Sequence, residues 1–290
     1  MVRRPRAPAS SVFGMALTLL ALPAAAGDTP DFGMALARGD ERYAGRAEGA
    51  QGAVALAGPV DEAIDGYRLA LSLRPDSTEA RFGLLRALFF RANFCGSDPQ
   101  LSKRLFEEAR QVGEEGVVRL ERAIGNKKGA ARISALREVP GAAELVFWTG
   151  VAWGEWALRM PRVTTARAGA PGRIRALAQA TIDADPELEE AGGHRLLGRL
   201  HDLCPRVPLF TGFVSREKAL ENLRKAHAAF PGNTVNQFLL ADAILRHDER
   251  HREEARTLLA RCAAAEPRPE YRVEDAHYAA LARALLATAR

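Results

Sequence analysis

EKALENLRKAHAAFP, residues 217–231, sets Ala219, Leu223, Ala226 and Pro231 at relative positions 0, +4, +7 and +12. The first three fall on one face of a helix. Small side chains at 0 and +7 let a neighbouring helix come close, and the large one at +4 fills the space between them. The proline stops the helix, because it has no N–H to donate and disfavours helical geometry in the residue before it.

The same spacing recurs along the chain, and recurrence is what turns a pattern into an architecture. EAIDGYRLALSLRP (62–75) places Ala63, Tyr67, Ala70 and Pro75 in these slots. EEARTLLARCAAAEP (253–267) places Ala255, Leu259, Cys262 and Pro267 there. A looser copy runs Ile174, Ala178, Thr181, Pro186, and another runs Gly116, Leu120, Ala123 with Lys128 in place of proline. This is the pattern of the second helix of a tetratricopeptide repeat, a helix-turn-helix unit that buries its apolar face only by stacking on its neighbours. The first helices are read from RFGLLRALFF (81–90), FWTGVAWGEW (147–156), HRLLGRLHDL (194–203) and NQFLLADAIL (236–245). Among these, Gly198 is the point where two helix backbones touch, flanked by Leu197 and His201.

The reading is therefore an all-α tetratricopeptide-type solenoid, one domain over residues 27–290. A lead helix is expected near 31–48 and a terminal capping helix over 274–289. Asp98-Pro99 reads as an N-cap with proline in the first turn. The stretch 129–142 reads as an inserted loop, and so does 167–172.

Residues 1–26 have the layout of a secretory signal peptide. Arg3, Arg4 and Arg6 precede an apolar run from Val12 to Leu22, and Ala24-Ala25-Ala26 offers a cleavage site. That run is too short to span a bilayer, and no cysteine follows it for lipid attachment. The expectation is a periplasmic or secreted protein without a membrane span. The formal charge of +5 falls to +2 without the three leader arginines, since 38 basic residues then face 36 acidic ones. No basic run is interleaved with aromatics, so nucleic acid is not an expected partner.

Several clusters invite a catalytic or metal reading. His201 and Cys204 resemble a base and a nucleophile, but His201 occupies a packing slot and Cys204-Pro205 starts the turn out of the helix. His247 and His251 in RHDERH (246–251) are spaced for one helix face, yet the register puts them in a charged turn. His194 and His201 form only a loose pair. Cys262 stands in a slot otherwise filled by alanine and reads as a buried thiol. No intrachain disulfide is expected between Cys95 and Cys204, which lie two repeat steps apart. Trp153 reads as core; Trp148 and Trp156 fit either core or a ligand site. The chain reads as a non-enzyme that needs no metal or cofactor.

The segment GGHRLLGRL followed by Cys-Pro, VPLFTGF and EKALENLRKAHAAFPGN resembles the TatT family, the exported tetratricopeptide component of some TRAP transporters. The shared features fall on Gly192, Gly193, His194, Arg195, Leu197, Gly198, Pro205, Pro208, Gly212, Lys218, Ala219, Lys225 and Ala226. The resemblance covers about 143 to 245. It implies a periplasmic, all-helical homotrimer that contacts the transporter's substrate-binding protein, although the lipoprotein cysteine of that family is missing here. From the register, the ligand- or partner-facing groove is expected to carry Phe82, Arg86, Phe89, Phe147, Glu155, Arg195, Arg199, Phe238 and Asp242. Arg86, Arg195 and Arg199 are the candidates for the anionic group of a small carboxylate or a peptide, because a guanidinium fork matches a carboxylate. The functional expectation is a scaffold beside a TRAP transporter; the alternative is a general envelope scaffold that binds proteins or peptides during secretion or surface assembly.

Overall fold

Helices begin where the sequence supplies a side-chain acceptor. In a computed structural model, which describes residues 31–125, 127–207 and 211–288, α1 (Phe32–Ala44) starts on Asp31, whose carboxylate accepts the Met34 N–H at 2.8 Å. Ser77 caps α3 (Thr78–Phe94) in the same way through the Ala80 N–H. Asp98 accepts from Gln100 and Leu101 at the head of α4 (Pro99–Ile124), with Pro99 in the first turn. Ser215 caps α10 (Arg216–Ala229) and Asn233 caps α11 (Thr234–His247). Each cap satisfies a backbone donor that the helix itself cannot. The remaining helices are α2 (Ala57–Leu73), α5 (Gly129–Glu138), α6 (Ala142–Arg159), α7 (Arg162–Arg167), α8 (Ala170–Ala184), α9 (Leu188–Leu203), α12 (Arg252–Ala264) and α13 (Arg272–Thr288). The leader read over 1–26, and Pro208, lie outside the described residues.

The repeat slots are the centre of the packing. Ala63, Tyr67, Ala70, Ala219, Leu223, Ala226, Ala255, Leu259 and Cys262 are all wholly buried. Pro75, Pro231 and Pro267 lie just past the ends of α2, α10 and α12. The glycines opposite the large slot explain how close the helices come. A Cβ on Gly198 of α9 would stand 2.6 Å from Leu223 Cγ, and one on Gly83 of α3 would stand 2.5 Å from the Tyr67 ring. No carbon tolerates such an approach, so only glycine allows this spacing.

Two layers result. Helices α2, α4, α8, α10 and α12 form the outer one. Helices α1, α3, α6, α9, α11 and α13 form the inner one, in which α3 packs on α6, α6 on α9, α9 on α11 and α11 on α13. The series then returns on itself, because α13 also packs against α3. Val273 joins the same apolar core as α1 to α9, and the His277 ring stacks edge-on against Phe94 at 5.3 Å. The inner layer is a closed ring.

Two stretches differ from the expectation of loops. Residues 129–138 are helical, with Ala135 and Leu136 buried on their inner side. Within 167–172, α7 ends at Arg167 and α8 begins at Ala170, so only the turn at Gly169, with φ 67°, is irregular. Among the described residues no strand occurs, and no helix is long and apolar enough to cross a membrane.

Candidate ligand-binding cavity

The ring surrounds a cavity of about 810 Å³ that is partly open to solvent, within the size range of small-molecule sites. Its aromatic wall comes from α3 and α6. Phe89 and Phe147 flank Trp148, with ring centroids 5.4 and 5.3 Å from it. Tyr271, just before α13, and Tyr278, within it, also line the cavity. Phe238 stands behind Tyr278, at 5.6 Å between rings, and is not part of the wall.

An irregular turn brings the acidic side chains to this space. Glu189, Glu190 and Ala191 all adopt left-handed backbone, with φ of 51, 55 and 65°. Such a conformation costs about 1–2 kcal/mol per non-glycine residue. Arg195 holds it in place: its guanidinium donates to the carbonyls of Glu189 and Glu190 at 2.7 and 3.0 Å, and to Asn236 Oδ1 at 2.9 Å. The turn aims Glu189 at Trp148, whose indole N–H donates to it at 3.2 Å. Burial raises the pKa of Glu189 above the usual carboxylate value, although Arg195, Arg86 and the indole oppose the shift. Glu190 turns the other way, accepting from Arg268 at 2.7 and 2.8 Å and from Asn233. Arg268 in turn holds Asp275 of α13. The two glycines that follow serve packing. A Cβ on Gly192 would meet the Phe147 ring at 2.5 Å, and one on Gly193 would meet Ile182 at 2.8 Å.

The α13 side of the cavity is closed by charge. Arg46 donates to Glu274 at 3.0 and 3.2 Å and to the Glu270 carbonyl, while Arg272 reaches the Ala47 carbonyl. Arg46 and Arg86 both lie over Tyr43, 4.7 and 4.1 Å from its ring centre. Burial raises the pKa of Tyr43 well above the usual phenol value.

Of the residues expected in the groove, Arg86, Phe89, Phe147, Glu155, Arg195 and Arg199 line this one cavity. Phe82 packs toward Gly141 instead, and Asp242 is engaged by Arg199 and Arg246. The sequence reading missed Tyr43, Arg46, Glu189, Glu274 and Tyr278, which also line the cavity. The signal for the last two is their i, i+4 spacing in the segment treated as a cap.

No family model matches the chain, and no curated protein matches it. Among solved structures, it is similar to the crystal structure of a thermophilic TPR protein of Thermus thermophilus, with a TM-score of 0.53 at 19% identity, over 89% of this chain and 98% of that one. The fold is a tetratricopeptide-type solenoid.

The remaining reactive side chains sit in packing or turn positions. His201 is buried, its ring edge-on to Phe213 and its Nδ1 accepting the Ser215 N–H at 3.3 Å. Burial, together with Lys218 and Arg175, lowers its pKa. His194 pairs with Asn222 at 3.1 Å. In RHDERH, His247 meets Asp202 at 2.9 Å and His251 meets Asp248 at 2.7 Å, so the two rings face different carboxylates. Cys95, Cys204 and Cys262 are free thiols. Burial pushes Cys95 and Cys262 up to about 11 and raises Cys204, which keeps all three protonated at neutral pH. Trp148, Trp153 and Trp156 are all buried, and only Trp148 lines the cavity. Among the described residues, no group of three His, Cys, Asp or Glu side chains is placed to hold a metal.

Proposed function

We propose that the chain is an exported, non-catalytic scaffold whose central cavity holds a small ligand. The observation that carries this reading is the closed inner ring, which surrounds an aromatic and charged space instead of leaving an open concave face. A preformed pocket with a few convergent polar groups is the usual form of a small-molecule site. The ring also weighs against the alternative of a scaffold for an extended peptide, because α13 bars the groove such a peptide would follow.

The finer role rests on the sequence resemblance over 143–245. On that basis the chain acts as the T-component beside a TRAP transporter, in the periplasm, as a homotrimer that contacts the substrate-binding protein. Residues 27–290, purified from the periplasm of the host, are the material for the test. Sedimentation as a trimer, and a saturable complex with the purified substrate-binding protein, are expected. A monomer that forms no such complex at micromolar concentrations removes the transporter role. The cavity reading is tested separately, by native mass spectrometry of the same preparation for a bound small molecule.

A further inference from the structure

The charges around the cavity narrow what fills it, and this inference rests on the reading of the cavity as a ligand site. Most of the arginines on its wall are already committed. Arg46 binds Glu274, Arg199 binds Asp202 and Asp242, and Arg268 binds Glu190 and Asp275. Arg195 uses its donors on the carbonyls of the left-handed turn. Arg162 is exposed at the rim.

Arg86 is different. Its guanidinium lies over Tyr43, no carboxylate of the described residues is within ion-pair distance, and its Nε is buried without a hydrogen-bond partner. The Tyr67 hydroxyl also accepts from Arg86 while donating to Asp40 at 2.8 Å, but burial raises the pKa of that phenol, so it is a neutral partner and leaves the charge of Arg86 unbalanced. A guanidinium stays protonated, so Arg86 keeps a positive charge that no carboxylate of the described residues meets in contact. Glu189 acts on Arg86 only through space, its carboxyl being held by Trp148. One turn along α3 from Arg86, Phe89 opens the aromatic wall that continues through Trp148 and Phe147.

We infer that the cavity binds an organic monocarboxylate with an aromatic or apolar body, the carboxylate on Arg86 and the body between Phe89, Phe147 and Trp148. A dicarboxylate finds no second buried cation left uncommitted among the described residues: Arg162, which also lines the cavity, is exposed to solvent. A neutral ligand leaves Arg86 unmatched. A cationic ligand meets Arg86 itself.

The test uses residues 27–290 titrated with 3-phenylpropionate, 3-phenylpropionamide and succinate, read by tryptophan fluorescence and calorimetry. The acid is expected to bind at least tenfold more tightly than its amide and than succinate. Arg86→Met is expected to remove the advantage of the acid over the amide, and Arg86→Lys to restore part of it; melting curves of both variants show that the fold is intact. Equal affinity for acid and amide, or acid binding unchanged in Arg86→Met, overturns the carboxylate while leaving a small-molecule cavity in place. Tighter binding of succinate overturns the single-charge argument. If none of the three changes the fluorescence of the chain, and Trp148→Phe shows that Trp148 does contribute to that signal, both this inference and the cavity reading fail.

Discussion

Replacing Arg46 by Met tests whether α13 closes the ring. The Arg46 and Glu274 side chains are only 10% and 15% exposed, so solvent screening weakens their contact little. Two donors of Arg46 reach the same carboxylate oxygen, Oε1 of Glu274, at 3.0 and 3.2 Å. The other oxygen, Oε2, is already buried without a partner. Removing the guanidinium therefore strands a buried carboxylate, a change that costs about 3–5 kcal/mol when one partner of a buried pair is lost. Methionine keeps part of the packing on Tyr43 and Phe90, which argues for the low end, about 3 kcal/mol. If that cost falls on the closure of α13, its amides open roughly 150-fold more often, at about 1.4 kcal/mol per factor of ten. Hydrogen exchange resolved by segment reads this directly. The expected result is fast exchange over 272–288, with α4 and α8 unchanged. The double variant Arg46→Met, Glu274→Met is expected to recover most of the loss, because removing both partners leaves nothing stranded. Unchanged exchange in α13, or the same acceleration in every helix, refutes the closure.

Other substitutions test other links. Gly198→Ala drives a Cβ to 2.6 Å from Leu223 Cγ; overpacking of about 1–3 kcal/mol outweighs the roughly 1 kcal/mol gained in helix propensity, so thermal unfolding falls by a few degrees. A melting temperature at or above wild type removes the argument for close backbone approach. Asp202→Asn weakens an acceptor shared by Arg199, Arg246 and His247; with the arginines partly exposed, a loss of about 2 kcal/mol is expected, or roughly 4–8 °C, and a shift below about 1 °C speaks against it. Glu189→Gln tests the raised carboxyl. In the folded chain this group resists ionising, so wild-type stability declines as pH rises from 4.5 toward the higher folded value and stays lowered above it. Gln does not titrate, so the melting temperature of the variant relative to wild type should climb over that interval. A difference that is flat with pH, or that falls, shows that Glu189 is not buried as described.

The repeat was legible because its slots each do one job. Alanine at 0 and +7, a large residue at +4 and a closing proline state the packing without tertiary information, and Tyr67 and Leu223 meet the glycines that this logic requires. Residues 129–138 escaped because they carry no repeat slot and no cap, and their helix buries little beyond Ala135 and Leu136. The arginines were legible as a set, since register alone puts Arg86, Arg195 and Arg199 on inner helices. Which of them is uncommitted was not, because their partners come from other parts of the chain: Asp242 from α11, and backbone carbonyls from an unusual turn. That turn was hidden for a physical reason. A left-handed bend beside Gly192-Gly193 is expected on the glycines, but their missing side chains are needed against Phe147 and Ile182, so Glu189, Glu190 and Ala191 bend in their place.

The return of α13 to α3 also has a consequence for biogenesis. Synthesis and the proposed export both run from the amino end, so α1 to α12 can stack as each pair emerges on the far side of the membrane, every repeat resting on the one before it. The chamber itself does not exist until Arg272 to Thr288 have been made and have travelled back to the first repeats. Any cargo present during maturation meets an open crescent first. Capture before the final helix docks requires no later breathing of the finished ring, whereas loading afterwards does, and pulse-labelled chains halted before residue 272 would distinguish the two histories.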